Sequence, residues 1–149
     1  MKVVIGCDHA GLEMKNAIIP VLEDLNIEWE DYGTKTADSV DYPDFGEKVS
    51  EAVSNGSSDR GILVCGSGIG MSIVANKFPG VRAALVSEIY SAEMSRQHND
   101  ANLLVLPGRI IEPADAKEIV IKWFNTEFEG GRHQMRLDKI KEIEMRLNK

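Results

Sequence analysis

Cysteine is scarce in this chain, which has two in 149 residues, Cys7 and Cys65. Two isolated thiols make no disulfide framework. Met1 runs straight into an apolar strand, so no export or transit signal is expected, and both thiols are expected reduced in a cytoplasmic protein. Positive charge is also in deficit: 17 basic against 24 acidic residues leave a net charge of -7. That balance argues against nucleic acid or an anionic membrane as the partner, though a local basic cluster could still hold a small anion. No apolar run is long enough to cross a bilayer, and there is neither a repeat nor a low-complexity segment. The Cys and His residues lack zinc spacing, so no metal and no cofactor are expected. Neither a Walker loop nor a G-x-G-x-x-G fingerprint occurs, and neither cysteine has an arginine six residues on, as a phosphatase loop would.

What remains is a chain of ordinary globular composition, 43% hydrophobic and 28% charged, of single-domain length over residues 1–149. Short apolar runs alternate with helical patterns. Val3-Val4-Ile5 reads as a central parallel strand, and Met14, Ile18, Val21, Leu22 and Leu25 as the inner face of a first helix containing Pro20. Ile27 to Tyr32 alternates like an edge strand. A second helix spans about Tyr42 to Asn55. Strands follow at Gly61–Val64, Val81–Val86 and Leu103–Leu106. Between them lie a helix from Gly68 to before Pro79 and one from Ser87, a plausible N-cap, to His98. A fifth helix starts at Pro113 and runs to the break at Gly130-Gly131. A last helix over 132–149 has a thin stripe, Leu137, Ile140, Ile143 and Leu147. It reads equally as an arm on another subunit or as a helix folded back on its own domain.

Five alternations of strand and helix predict an α/β fold, a three-layer doubly wound parallel sheet of order 2-1-3-4-5. The switch point would lie between strands one and three, bringing the Cys7-Asp8-His9 and Cys65-Gly66-Ser67 turns to one crevice. The second turn, Cys65 to Gly70, offers a thiol, a hydroxyl and helix-initiating backbone amides. These are a candidate base beside a candidate oxyanion hole, the helix dipole favouring the thiolate. Taken alone it reads as well as a tight bend around a small packed cysteine. His98 at a helix C-terminus could act as an acid or be a solvated helix-end histidine. Arg132 and Arg136, one turn apart at a helix start where cations oppose the dipole, could with Arg109 clamp a phosphate. Together these roles suit proton abstraction beside the carbonyl of a phosphorylated sugar, as in an aldose–ketose isomerase working through an enediolate.

The segments Gly6-Cys7-Asp8-His9-Ala10-Gly11, Asp41-Tyr42-Pro43, Cys65-Gly66-Ser67-Gly68-Ile69-Gly70-Met71-Ser72, Ala75-Asn76-Lys77, Ser95-Arg96-Gln97-His98-Asn99 and Gly130-Gly131-Arg132-His133 closely resemble those of the ribose-5-phosphate isomerase B family. The wider family includes the galactose-6-phosphate isomerase subunits. The resemblance covers essentially the whole chain. It implies a Rossmann-like sheet and a homodimer, sometimes paired into a tetramer, with a site shared between subunits that would account for the C-terminal arm. It also implies metal-free interconversion of ribose 5-phosphate and ribulose 5-phosphate.

Carried over by position, Cys65 resembles the base and Ser67 the hydroxyl of a proton relay. Gly66, Ser67, Gly68, Ile69 and Gly70 resemble the anion hole, and His98 the ring-opening acid/base. Asp8, Asn99 and Tyr42 resemble sugar-binding positions, with His9 at the sugar or phosphate end. Arg109, Arg132 and Arg136 resemble phosphate ligands. Where Ser67 stands the family usually has threonine, so a roomier pocket tolerating aldohexoses such as allose is expected. A branch of the family that uses glutamate as the base would need it at Met71, so the cysteine route is the consistent one. The competing readings are a hexose-phosphate isomerase of the same family and a nucleotide- or flavin-binding module. The latter is disfavoured because no acid sits where one would read a ribose.

Overall fold

The structure is a computed structural model that describes residues 1–147. Five strands form one parallel sheet: β1 (Lys2–Cys7), β2 (Glu28–Asp31), β3 (Arg60–Cys65), β4 (Ala83–Leu85) and β5 (Leu103–Pro107). Six helices connect and follow them: α1 (Leu12–Asp24), α2 (Tyr42–Ser54), α3 (Ile69–Ala75), α4 (Ile89–Gln97), α5 (Pro113–Phe124) and α6 (Arg132–Arg146). A strand's side chains alternate between its faces, and here both faces are covered. Val3, Ile5, Ile62, Val64, Leu104 and Leu106 point into the core beneath α1, α4 and α5, where Ile18, Leu22, Ile119 and Trp123 are fully enclosed. Val4, Leu63, Leu103 and Val105 point the other way, against Val49 and Ala52 of α2 and Met71 and Ala75 of α3. This is the expected three-layer α/β/α arrangement.

The strand order is β2-β1-β3-β5-β4, not 2-1-3-4-5. Burial explains the exchange. Every residue of β5 is buried, as its unbroken Leu-Leu-Val-Leu run requires of a strand flanked on both sides. β4 has only three residues, two partly exposed and one exposed, and so takes the edge. The switch point between β1 and β3 is unaffected.

Two local expectations are also corrected. The cap of α4 is Glu88, whose carboxylate accepts from the Ser91 amide; Ser87 lies outside the helix. The fifth helix ends at Phe124, well before Gly130-Gly131, which instead turn the chain into α6 with φ of 68° and 56°. In α1 the helix continues unbroken through Pro20, which faces solvent. The terminal helix lies beside its own domain: Leu137 is buried, and Glu144 accepts from the Gly80 amide at 3.1 Å. Ile140 and Ile143 nonetheless stay nearly half exposed, bordering a 440 Å³ groove between α6 and residues such as Val81, Ala83 and Ala101. The last two positions of the expected arm, 148 and 149, lie outside the described residues.

Candidate active site

The β1 and β3 turns meet as the switch-point rule requires. The Asp8 amide donates to the Val64 carbonyl, and Gly108 and Arg109 donate to the carbonyls of Cys65 and Gly66 at 2.8 and 3.0 Å. Gly11 lets the chains close: a β-carbon there would lie 2.7 Å from the Val64 carbonyl carbon and nearer still to its oxygen. Asp8 is buried, and its carboxylate accepts from the Gly11 amide at 3.0 Å, fixing the bend that carries His9.

Cys65 ends β3 with 5% of its surface exposed. Gly68, at φ 77°, is the left-handed residue that turns the strand into α3. Burial pushes the Cys65 thiol above its ordinary range, while the backbone amides of Met71, Gly68 and Gly70, directed at the sulfur, pull the other way without cancelling it. The dipole argument therefore has the right sign but is outweighed by desolvation in the free chain. The same amides would receive a thiolate once a proton is drawn off. Ser67 is exposed, its hydroxyl oxygen accepting from the Ile69 amide at 3.3 Å, and Ile69 is exposed beside it. Tyr42, at the start of α2, lies flat against Gly70, where a β-carbon would come within 2.6 Å of its ring.

A cleft of about 650 Å³ opens alongside, lined by His9, Ala10, Glu13, Asn16, Gly108 and Arg109. His9 Nδ1 accepts from the Val40 amide at 3.1 Å, which leaves Nε2 as the nitrogen that carries the hydrogen. The loop supplying that amide is tied down by Lys15, a residue the sequence reading passed over. Fully buried, it donates to Asp31 at 2.8 Å and to the Thr34 carbonyl at 2.9 Å. Burial would raise the Asp31 carboxyl, but Lys15, Lys35 and the Gly33 amide together hold it below its usual range.

Asp8, His9, Tyr42, Cys65, Gly66, Ser67, Gly68, Ile69, Gly70 and Arg109 thus share the carboxyl edge of the sheet. His98, Asn99, Arg132 and Arg136 do not. α4 runs antiparallel to the strands, so its C-terminus returns to the amino edge. There the Asn102 amide meets the Arg82 carbonyl and the Gly61 amide meets the Asn102 carbonyl, at the starts of β4, β3 and β5. The six residues of β3 put about 20 Å between the two edges.

At the amino edge, His98 stacks on His133 with ring centroids 4.2 Å apart and planes 13° from parallel. Glu129 Oε2 lies 3.3 Å from His133 Nε2. Arg132 and Arg136 stand exposed at the start of α6. The sequence signal for the Glu129–His133 pair is their four-residue spacing, which straddles the start of α6 and so carries no helical pattern. The ligand atoms of His98, Glu129 and His133 fall within 4.8 Å of one another. However, an ion binds in the plane of an imidazole, and stacked parallel rings aim their lone pairs side by side rather than at one point. As arranged, the three form a stack of two imidazoles edged by a carboxylate.

An open parallel sheet with a thiol, a hydroxyl and convergent amides at its switch point defines an α/β enzyme equipped for acid–base chemistry on a small polar substrate. The sequence pattern described as Ribose/Galactose Isomerase matches residues 3–140. Ribose-5-phosphate isomerase B of Escherichia coli (strain K12) is 46% identical over 147 residues, 99% of each chain. The structure of ribose-5-phosphate isomerase B of Clostridium thermocellum superposes with a TM-score of 0.96 at 51% identity, covering 99% of both chains. That of a Thermotoga maritima ribose 5-phosphate isomerase gives 0.90 at 47%, covering 95% of this chain and 97% of the other. The chain belongs to the ribose/galactose isomerase family.

Proposed function

We propose that this protein is a ribose-5-phosphate isomerase that interconverts ribose 5-phosphate and ribulose 5-phosphate through an enediolate, as a cytoplasmic homodimer with each site built from both chains. The observation that carries the chemistry is the buried Cys65 thiol at the β1/β3 switch point, beside the helix-initiating turn of Gly66 to Gly70, in a chain 46% identical to an enzyme of that name. His98 of one chain moves the proton between the anomeric hydroxyl and the ring oxygen, giving the open aldehyde. The Cys65 thiolate of the other takes the C2 proton, and the C–H electrons form the C1–C2 double bond as negative charge develops on O1. Ser67 passes a proton between O1 and O2, and return of the proton to C1 gives the ketose. Backbone amides of the 66–70 turn stabilise the oxyanion. Asp8, Tyr42 and Asn99 hold hydroxyls, and His9, Arg109, Arg132 and Arg136 hold the phosphate.

The split geometry supports sharing the site between chains. Six-residue strands separate Cys65 from His98 within one chain. Ile69, Ile73, Leu85, Ile89 and Tyr90, each at least 41% exposed, offer an apolar surface beside the Cys65 turn for the second copy. A pair of dimers forming a tetramer is compatible with the exposed face of α6. Ser67, lacking the methyl of threonine and already exposed, leaves room that supports a side activity on aldohexoses such as allose. The test is ribose 5-phosphate turnover with a chelator present. Activity indifferent to chelator and nearly abolished in Cys65→Ala supports the proposal, whereas full activity without the thiol overturns it.

A further inference from the structure

We infer that Glu129 and His133 are positioning residues for His98, forming a carboxylate–imidazole–imidazole array that holds the ring-opening group at one orientation. The inference rests on the role given to His98 above and adds two residues to it. A group that transfers protons must be held within about half an ångström of its productive place, on supports whose own rotamers are locked. His98 sits one residue beyond the end of α4 and is only partly buried. Among the described residues neither of its ring nitrogens takes part in a hydrogen bond, so ring stacking is the contact that fixes the imidazole plane.

The supporting ring is better held than the one it supports. His133 is 5% exposed and lies in the first turn of α6. Its amide donates to the Gly130 carbonyl at 3.1 Å, and its Nε2 faces Glu129 Oε2 at 3.3 Å. Glu129 is tied in turn to the helix that carries His98, its amide donating to the Gln97 carbonyl at 3.1 Å. The chain therefore leaves the end of α4, returns beside it at Glu129, and folds His133 over His98. Gly130 and Gly131 make that return possible. Both have positive φ, and a β-carbon at either would touch nothing, so glycine is there for backbone conformation and not for space. With one face covered by His133, His98 keeps its ring edge, and with it both nitrogens, for the substrate.

The experiment compares His98→Ala, Glu129→Gln, His133→Ala and His133→Phe in the full-length protein. It measures kcat and KM for ribose 5-phosphate and the side-chain proton and nitrogen resonances of His98. Glu129→Gln and His133→Ala are expected to lower kcat roughly tenfold, a fraction of the effect of removing an acid/base group outright. KM should stay within about twofold, because neither residue is assigned a contact with the phosphate. The His98 resonances should shift in both variants. His133→Phe, which keeps a flat ring over His98, should recover most of the kcat lost in His133→Ala. Wild-type kcat in Glu129→Gln and His133→Ala, with activity lost in His98→Ala, would overturn this inference alone. Activity retained in His98→Ala would overturn both it and the ring-opening role beneath it. Equal loss in His133→Ala and His133→Phe, with the His98 resonances unmoved, would reduce His133 to a structural residue and also overturn it.

Discussion

The two edges of the sheet are built on different terms. At the carboxyl edge, backbone meets backbone: the turns after β1, β3 and β5 are joined by amide–carbonyl bonds, and Gly11 closes directly on the Val64 carbonyl. At the amino edge, side chain meets side chain: two stacked imidazoles, a half-exposed carboxylate and a pair of solvated arginines on a helix reached through two glycines. The first arrangement suits a base and an oxyanion hole, whose geometry must not drift. The second suits groups that reach across to another molecule. Under the proposed assignments neither edge carries a full set of catalytic parts, and the two sets lie at opposite ends of the strands.

The largest expected effect breaks the carboxyl edge. Cys65→Ala should lower ribose 5-phosphate turnover by roughly three orders of magnitude or more while the fold is kept, since the proposed proton acceptor is gone; steady-state kinetics beside circular dichroism checks both halves of that statement. Removing charge at the amino edge should act on binding instead. Arg132→Ala and Arg136→Ala should each raise KM for the phosphosugar by about tenfold or more through loss of a charge-assisted hydrogen bond, with little change for an unphosphorylated aldose.

Stability sharpens the same contrast. Gly11→Ala should cost about 3 kcal/mol in urea unfolding, because its neighbour is backbone that cannot yield. Gly130→Ala, with open space around it, should cost only about 1 kcal/mol for its left-handed conformation. A further contrast is one of pH. Burial pushes the Cys7 thiol up from 9.0 to about 11. The folded chain thus keeps this thiol neutral where the unfolded chain would ionise it. Its contribution is complete below pH 9 and is lost as pH rises towards 11, about 3 kcal/mol in all. Unfolding curves at pH 8 and 10.5 should show the parent losing about 2 kcal/mol more stability than Cys7→Ala.

Much of this architecture was legible in the residues. The runs at Val3 and Ile62 and the turns that follow them located the switch point, and the Cys65 turn was found where the structure has it. The β4/β5 exchange was legible in principle: Leu103-Leu104-Val105-Leu106 is a central strand by composition, whereas Arg82-Ala83-Ala84-Leu85 is not. The state of the Cys65 thiol was not legible, because it depends on how far burial outweighs three amides, and that balance is set by packing. Nor was the Glu129–His133–His98 stack, since it depends on a return of chain through Gly130-Gly131 that has no periodicity to reveal it. The pairing of Cys65 with His98 was expected from chemistry and from the family resemblance, which implies a site shared between subunits. The alternation of strand and helix already implied that a helix C-terminus lies at the opposite edge.

The most direct measurement is complementation between two inactive variants. Cys65→Ala and His98→Ala chains, each nearly inactive alone, are unfolded together and refolded as a mixture. If each site takes Cys65 from one chain and His98 from the other, every mixed dimer holds one intact site, and random pairing should restore about a quarter of parental activity. A mixture no more active than the sum of its parts would contradict the division of the site between two chains.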